Sequence, residues 1–266
     1  MNAQAPETQD PKPGDSYVQS FARGLEVIRS FSATTPQQTL SEVAAQTSLT
    51  RAGARRILLT LQTLGYVESD GRLFRLTPRI LDLGFAYLSS LPIWNLAEPV
   101  MEDLVEEVRE SSSAAVLDGL DIVYVLRVPT HKIMRTSLGV GSRLPACWTS
   151  MGRMLLAGLP DDALRERLQH HPMERFTEHT TTDVEALIAH IRQARQQGWC
   201  LVNQELEEGL ISVAAPLTNR SGQTVAALNI SGQANRTSAA VMQESLLPAL
   251  LRAAKTISRM MGTPRG

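Results

Sequence analysis

The segment from residue 139 to residue 157, GVGSRLPACWTSMGRMLLA, has the residue types of an anion-binding site. Thr149 and Ser150 directly precede a helical run, so one of them can serve as the N-cap of that helix. The backbone N–H groups of Ser150, Met151 and Gly152 would then point out of the helix start, where the helix dipole also favours an anion. A capped helix that simply packs against a sheet has the same residue types, and these types alone favour that simpler interpretation.

Arginines near the amino terminus form a second candidate site. Between Ser16 and Ile80 there are eight arginines and four acidic residues, a net charge of +4, whereas the whole chain has a net charge of −1. A basic module joined to an acidic remainder is typical of a polyanion-binding head carried by another domain. The candidate DNA-binding residues are Thr50, Arg51, Ala52, Arg55, Arg56, Arg72 and Arg75.

Catalysis and metal binding are the competing chemistries. Cys147 lies near the same helix start, where a thiolate would be favoured, and His131 is a candidate base. No catalytic pattern joins these two residues, so a buried free cysteine is the more common interpretation. His170, His171 and His179 are unevenly spaced in a polar stretch, which favours a solvated surface over a metal site. We therefore predict a protein that is not an enzyme and has no cofactor.

Three short helices and a hairpin are predicted to position the arginines. The second helix opens with the capping box Thr39-Leu40-Ser41-Glu42, and a turn near residues 47–49 separates it from the third helix. Asp70-Gly71 then lies between two short apolar runs, which is a strong hairpin signal and completes a winged helix-turn-helix. The predicted buried positions are Val18, Phe21, Leu25, Ile28 and Phe31 in the first helix, Leu40, Val43 and Ala44 in the second, and Ala54, Ile57, Leu58, Leu61 and Leu64 in the third.

The winged helix-turn-helix decides how the arginines are interpreted. Arginines on a helix surface are usually only solvated, so the helices alone leave DNA binding at even odds. The hairpin raises these odds, because Arg72 at its tip and Arg75 on its strand would contact phosphates beside the major groove.

The region after the hairpin contains the predicted domain boundary. Leu81, Phe85 and Leu88 indicate a helix that leaves the hairpin, and Pro92 marks a break before a second helix through Val108. The apolar residues of the first helix fit pairing with a second subunit and packing within one chain equally well. The predicted division is a disordered lead-in (1–15), a winged helix-turn-helix domain (16–78), a linker helix (79–95) and a larger domain (96–266).

The larger domain is predicted to be of the α+β class, with a long closing helix over an antiparallel sheet. A hairpin around Asp118-Gly119 is predicted by the segment AAVLDGLDIVYVLRV. Further strands are predicted near 199–203, 211–217 and 224–231, and helices near 150–169, 183–197 and 238–261.

Composition excludes several classes of protein. The chain has 266 residues, of which 43% are hydrophobic and 20% charged, as in ordinary globular domains. Cys147 and Cys200 are too few for a disulfide framework. The sequence has neither a signal-peptide pattern nor the roughly 18 successive apolar residues of a membrane span. We expect a cytoplasmic protein.

Taken in order, five segments resemble the IclR family of transcriptional regulators, over about Tyr17 to Gly262. RVPTHKIM (127–134) followed by RLPACWTSMGR (143–153) is most similar to the Pca and Pob regulators of aromatic-acid catabolism. The five segments are SFARGLEVIRSF (20–31), LSEVAAQTSLTRAGARRILLTLQTLGYV (40–67), LGVGSRLPACWTSMGRMLLAGL (138–159), NQELEEGLISVAAPL (203–217) and AALNISG (226–232).

The resemblance implies a winged-helix DNA-binding domain, a dimerising linker helix and a GAF-like effector domain that binds a small carboxylate. Arg135 is a candidate counter-charge for that carboxylate, although a salt bridge with a surface acid is the favoured interpretation of this residue. Where an aromatic residue is common in relatives this chain has Cys147, followed by the larger Trp148, and Asn203 replaces an acidic residue. The effector-binding residues implied by position are Ser150, Met151, Gly152, Asn203, Leu210, Ser212, Asn229 and Ser231. Arg135 as counter-charge, Leu144 as apolar wall and Trp148 complete the candidate set.

The predicted function is that of a DNA-binding regulator which responds to an aromatic acid or a β-ketoadipate-pathway metabolite. If Cys147 and Trp148 both line the pocket, its shape differs from a typical protocatechuate or 4-hydroxybenzoate site. The predicted partners are double-stranded operator DNA, the effector, further copies of the chain in a dimer or dimer of dimers, and RNA polymerase if the protein is an activator. We expect no membrane contact and a nucleoid-associated location. The alternatives are a ligand sensor that does not contact DNA and a cysteine-dependent enzyme.

Overall fold

The computed structural model describes residues 17–90, 93–130 and 138–262. These residues form two compact units, which divide between Ser89 and Ser90, inside the predicted linker at 79–95. The predicted lead-in at 1–15 and the predicted break at Pro92 lie outside the described residues. Within the described ranges, no helix combines the length and the apolar character needed to cross a membrane.

The amino-terminal unit consists of short helices and a small three-stranded sheet. The strand order is β1-β3-β2 and all pairs are antiparallel. β1 was not predicted, because two residues are too few to show an alternating pattern. The elements are α1 (Gln19–Arg29), β1 (Gln38–Thr39), α2 (Leu40–Gln46), α3 (Arg51–Thr63), β2 (Val67–Ser69), β3 (Leu73–Leu76) and α4 (Leu81–Ser90).

Local hydrogen bonds form where the sequence predicts them. The Thr39 backbone N–H donates to Glu42 Oε2 at 2.7 Å, and the Glu42 N–H donates to Thr39 Oγ1 at 3.3 Å, which confirms the capping box of α2. In the β2–β3 turn Asp70 Oδ1 accepts two backbone N–H groups, and Gly71 has a φ of 97° that disfavours other residues. The predicted hairpin is therefore confirmed.

The buried face of α1 differs from the prediction. Val27 is 0% exposed and Phe31 is buried, whereas Phe21 is 68% exposed, and Val18 and Leu25 are also exposed. The helix carries apolar residues on two adjacent stripes, and the sequence does not show which stripe the rest of the unit covers. The core of this unit consists of Val27, Phe31, Val43, Ala44, Ala54, Leu58, Leu61 and Val67.

The carboxy-terminal unit is built on a six-stranded antiparallel sheet with the strand order β6-β5-β4-β9-β8-β7. A wider π-helical turn, Met242–Leu246, joins the last two helices. The elements are α5 (Ile93–Val108), β4 (Ser111–Asp118), β5 (Asp121–Val128), β6 (Arg143–Pro145), α6 (Ser150–Leu156), α7 (Asp161–Gln169), α8 (Val184–Gln197), β7 (Cys200–Asn203), β8 (Leu210–Thr218), β9 (Thr224–Gln233), α9 (Ala239–Val241) and α10 (Leu247–Gly262).

Helices cover both faces of this sheet. Ala115, Ala214 and Ala227 belong to one core together with residues of α6, α7 and α8. Their sequence neighbours Ala114 and Leu228 are also buried, although they point to the opposite face, and α5 and α10 are the other long helices that contact the sheet. The α+β prediction and most strand positions are confirmed.

Two features of this unit were not predicted. The expected helix at 150–169 is two helices, because the chain turns after α6 and α7 begins only after Pro160. β6 was missed because three residues between turns show no clear pattern.

A pair of leucines on α3 tests the packing of the amino-terminal unit. Leu58 is 0% exposed, so Leu58→Ala should lower the free energy of unfolding by about 2–5 kcal/mol through loss of burial and cavity formation. Leu64, the C-cap residue of the same helix, was predicted to be buried but is 51% exposed, so Leu64→Ala should change it by less than about 0.5 kcal/mol. Denaturant unfolding of both variants would contradict this packing if the two losses were equal.

Candidate functional site

The carboxy-terminal unit encloses a cavity of about 280 Å³ between the sheet and the start of α6. Its lining combines apolar side chains with hydroxyl, amide and charged groups, as binding sites for small ligands do. Leu138, Thr149 and Leu206 line it and were not predicted. Of the predicted effector residues, the structure brings together Leu144, Trp148, Ser150, Met151, Leu210, Ser212, Asn229 and Ser231.

Two predicted residues within the described part of the chain, Asn203 and Gly152, do not line the cavity. Asn203 is exposed, and its neighbour Val202 lines the cavity instead, because successive residues of β7 point to opposite faces. Gly152 packs against the turn before α6, where a Cβ atom would overlap the backbone of Ala146. Glycine is therefore required here by packing against Ala146, and it does not line the cavity. Arg135 lies outside the described residues.

The start of α6 is an N-cap with one backbone donor already used. Thr149 is the N-cap residue, and its Oγ1 accepts from the Gly152 N–H at 3.1 Å. The Ser150 hydroxyl lies 2.8 Å from the Ser212 hydroxyl on β8, so helix and sheet meet at a polar contact inside the cavity. The capped-helix interpretation therefore accounts for part of the expected anion site.

A bulge in the sheet brings an unpredicted arginine into the cavity. Tyr124 and Arg127 are three residues apart on β5, so regular alternation would place them on opposite faces. The pairing with β4 shifts at Ala114 and Ala115, and Val125 is the extra residue. As a result both Tyr124 and Arg127 line the cavity. Burial raises the pKa of Tyr124, and this effect outweighs the lowering by the nearby Arg127 charge. The phenol therefore keeps its proton at neutral pH.

Arg127 belongs to a chain of hydrogen bonds across three strands. Its Nη1 donates to Ser113 Oγ on β4 at 3.3 Å, and the Ser113 backbone N–H donates to Asn229 Oδ1 on β9 at 3.0 Å. Ser113 is 0% exposed and Asn229 is also buried. The arginine and the carboxamide are thus held in place side by side at one edge of the cavity.

A buried ion pair that the sequence analysis missed joins α6 to the turn after β7. Arg153 donates from Nη1 and Nη2 to the two carboxylate oxygens of Glu205, both at 2.7 Å, and its Nε donates to the Cys147 carbonyl at 2.8 Å. Thr181 donates its backbone N–H to Glu205 at 3.0 Å. Burial alone would raise the pKa of Glu205, but the hydrogen bonds and charge of Arg153 outweigh it and hold the pKa below its usual value. An arginine inside the apolar run SMGRMLLA was the available signal, since a buried charge needs a partner.

Trp148 lines the cavity, and contacts outside the cavity hold its side chain in place. Its Nε1 donates to the Thr181 carbonyl at 2.9 Å, and its ring meets Phe176 edge-on with 5.0 Å between ring centroids. His171 also packs against this ring at 5.8 Å, so the expectation of a purely solvated histidine surface is wrong at this position. Across the described ranges, no group of three or more His, Cys, Asp or Glu side chains could hold a metal ion.

Cys147 belongs to the hydrophobic core. It is 0% exposed and does not line the cavity, so of Cys147 and Trp148 only Trp148 lines the site. Burial raises the pKa of the Cys147 thiol to about 11, despite the opposing effect of the Arg153 charge. The thiol therefore stays protonated at neutral pH, unlike a catalytic nucleophile.

The amino-terminal unit presents arginines in a groove between α3 and the hairpin. Arg51, Arg55 and Arg72 line this groove, and the exposed residues Ala52 and Arg56 also lie on α3. Thr50 is the N-cap of α3, and its hydroxyl accepts the Gly53 N–H at 3.1 Å. Arg75 pairs with Glu68 across the hairpin at 2.7 Å, which compensates part of its charge.

A winged helix-turn-helix joined in one chain to a unit with a polar cavity defines a ligand-responsive DNA-binding regulator. Residues 20–71 match the IclR helix-turn-helix domain, and residues 85–259 match the domain described as bacterial transcriptional regulator IclR C-terminal. The chain belongs to the IclR family of transcriptional regulators. Since the family consists of regulators, the prediction that the protein is not an enzyme is confirmed.

Relatives support the predicted similarity to the Pca and Pob regulators. The Pca regulon regulatory protein of Pseudomonas putida is 42% identical over 255 residues, which are 96% of this chain and 86% of the relative. The p-hydroxybenzoate hydroxylase transcriptional activator of Acinetobacter baylyi is 32% identical over 252 residues, 93% of each chain. A crystal structure of an IclR homolog complexed with 4-hydroxybenzoate, from Microbacterium hydrocarbonoxydans, is 26% identical with a TM-score of 0.81, covering 91% of this chain and 98% of the other.

The buried ion pair generates a stability prediction. Glu205→Gln should lower the free energy of unfolding at about pH 7 by about 3–5 kcal/mol, because it leaves Arg153 buried without a counter-charge. Since the pKa of Glu205 is lower in the folded state, its contribution is present above the unfolded value and is lost as the pH falls through the folded value. The difference between wild type and variant should therefore shrink in urea unfolding as the pH is lowered below the unfolded value of 4.5.

Glu185→Gln is the matched control for this prediction. Glu185 also makes a two-point contact with an arginine, Arg165, in the same unit, but its side chain is 65% exposed. Its replacement should therefore change the free energy of unfolding by at most about 1 kcal/mol. Equal losses for the two variants, or a Glu205→Gln loss that does not depend on pH, would contradict the assignment.

Proposed function

We propose that this regulator responds to an aromatic monocyclic carboxylate which binds in the cavity of the carboxy-terminal unit. The observation that carries the proposal is the lining of the cavity, in which apolar walls from Leu144, Trp148 and Met151 accompany the positive charge of Arg127. A volume of about 280 Å³ lies at the small end of the range for ligand sites, which suits a single ring with few substituents. The solved relative that holds 4-hydroxybenzoate supports this class, and a β-ketoadipate-pathway metabolite is the second candidate.

For DNA, we propose that the exposed face of α3 enters the major groove. Arg51, Arg55 and Arg56 would contact base edges and phosphates there, and Thr50 and Ala52 lie on the same helix start. Arg72 at the hairpin tip would contact the backbone beside the groove, as would Arg75 if it exchanges Glu68 for a phosphate.

Self-association is part of the proposal because α4 exposes apolar side chains. Leu81 is 69% exposed and Phe85 is 67% exposed, and burial of such residues against a second copy would remove apolar surface from water. We propose a dimer or a dimer of dimers, located in the cytoplasm at the nucleoid, with RNA polymerase as a partner if the protein activates transcription. The effector would change DNA binding only if it binds two conformations differently, typically by about 1–3 kcal/mol of coupling.

Single arginine variants test the DNA interface. Arg55→Ala should weaken binding to the upstream DNA of the protein's own gene by about 1–3 kcal/mol, and the combined change of Arg51, Arg55 and Arg56 to alanine should abolish specific binding. Arg175→Ala, an equal charge change at an exposed site of the other unit, should leave binding nearly unchanged. Fluorescence anisotropy at fixed salt would measure both. Wild-type protein that binds no DNA while it binds ligand would favour the alternative of a sensor without DNA contact.

A ligand screen tests the cavity. A carboxylate at about 100 times its dissociation constant should stabilise the protein by about 2.7 kcal/mol in thermal unfolding, and hydroxybenzoates, protocatechuate and β-ketoadipate form the first panel. Ser150→Leu should remove the shift by filling the cavity beside Ser212. Ser245→Leu makes the same change at an exposed position and should retain the shift. An unchanged shift in Ser150→Leu would place the ligand elsewhere.

A further inference from the structure

We propose that Arg127 and Asn229 receive the carboxylate of the effector, at the edge of the cavity formed by β5, β4 and β9. The start of α6 then faces the other end of the ligand. This inference rests on the proposed function, because it orients the ligand within the same cavity. The β5 bulge is the structural reason that a cation reaches this edge.

Arg127 has an uncompensated charge among the described residues. Its hydrogen bond goes to the neutral Ser113 hydroxyl at 3.3 Å, and none of the ion pairs between described residues includes it. A charged group in a half-buried site is stabilised by an anion that also accepts its hydrogen bonds. A planar guanidinium matches the two oxygens of a carboxylate in particular.

Asn229 adds a second donor beside the arginine. Its Oδ1 accepts the Ser113 backbone N–H at 3.0 Å, which assigns the orientation of the amide and leaves Nδ2 as the donor group of the side chain. Asn229 is 5% exposed and lines the cavity, and within the part of the chain that the structure describes its Nδ2 donates to no acceptor. Because this donor lies at the cavity wall, an acceptor-only group such as a carboxylate can bind to it there.

The opposite edge of the cavity carries negative charge. Glu207 lines the cavity from the turn between β7 and β8, where the charge of Glu205 is already paired with Arg153, whereas Arg127 enters from β5. Three strands separate β5 from β7, which places the two strands roughly 19 Å apart. The electrostatic field across the cavity therefore directs a carboxylate towards Arg127 and away from the acidic turn.

The start of α6 suits an uncharged polar group better than a carboxylate. Its Thr149 cap already uses the Gly152 N–H, and the Ser150 hydroxyl shares a 2.8 Å hydrogen bond with Ser212. Hydroxyl groups can both donate and accept, so this pair can bind a ring hydroxyl without a net charge. A ligand with a carboxylate at one end and a hydroxyl at the other would match both ends of the cavity.

The test compares an acid with its uncharged analogue. Isothermal titration calorimetry of the full chain would use 4-hydroxybenzoate and 4-hydroxybenzamide, or the acid and amide of whichever aromatic acid the screen identifies. Arg127→Gln should weaken the acid about ten- to hundredfold and change the amide less than about threefold. Arg127→Lys keeps the positive charge but loses the planar guanidinium that matches two carboxylate oxygens. It should therefore recover part of the acid affinity.

Arg143→Gln is the matched control. Arg143 lies on the neighbouring strand β6, is exposed, and pairs with Asp118 and Asp121 outside the cavity. The Arg143→Gln variant should bind both probes with the affinity of the wild type. For Arg127→Gln, an unchanged unfolding temperature would show that this variant is folded.

Two results would overturn the inference while leaving the proposed function intact. Equal losses for acid and amide in Arg127→Gln would show that Arg127 only shapes the cavity, and no loss for either would place the carboxylate elsewhere, with the start of α6 as the next candidate. Wild-type protein that binds its DNA but no carboxylate of the panel would overturn the proposed effector class and this orientation together.

Discussion

A buried ion pair between Arg153 and Glu205 holds the walls of the cavity together. The two residues belong to α6 and to the turn after β7, and the Thr181 backbone completes their hydrogen bonds. Because either charge alone would be strongly unfavourable in this interior, the helix, the turn and the segment at Thr181 must assemble together. The Thr181 carbonyl also accepts the Trp148 Nε1–H, so the ion pair and one wall of the binding site share the same segment.

The bulge in β5 makes the two edges of this cavity chemically different. Without the extra residue Val125, regular alternation would leave either Tyr124 or Arg127 on the far face of the sheet. With it, a cation and hydrogen-bond donors meet at one edge, while Glu207 and hydroxyl groups occupy the other. A ligand with two chemically different ends can therefore bind in one orientation, which a symmetric apolar cavity would not impose.

The two units perform recognition by different physical means. The DNA-facing unit presents Arg51 and Arg55 on the outside of one short helix, where the charges need only solvent and polyanion. The ligand-binding unit instead collects Ser150, Ser212 and Asn229 from a helix and two strands that are far apart in the chain. In the IclR family the two activities belong to one regulator, and any coupling between them must come from ligand affinity that differs between conformations.

The sequence alone determined the features that depend on near neighbours. Thr39 and Glu42 cap α2, and Asp70-Gly71 forms the hairpin, because their hydrogen-bond partners lie within three residues. The sequence analysis, with the family resemblance, further identified half of the residues that line the cavity. Tertiary structure decided which side of an element is buried and which charge meets which: the exposed Phe21, the outward Asn203, the inward Arg127 and the pairing of Arg153 with Glu205. These outcomes depend on segments distant in the chain, whose contacts periodicity and residue type do not specify.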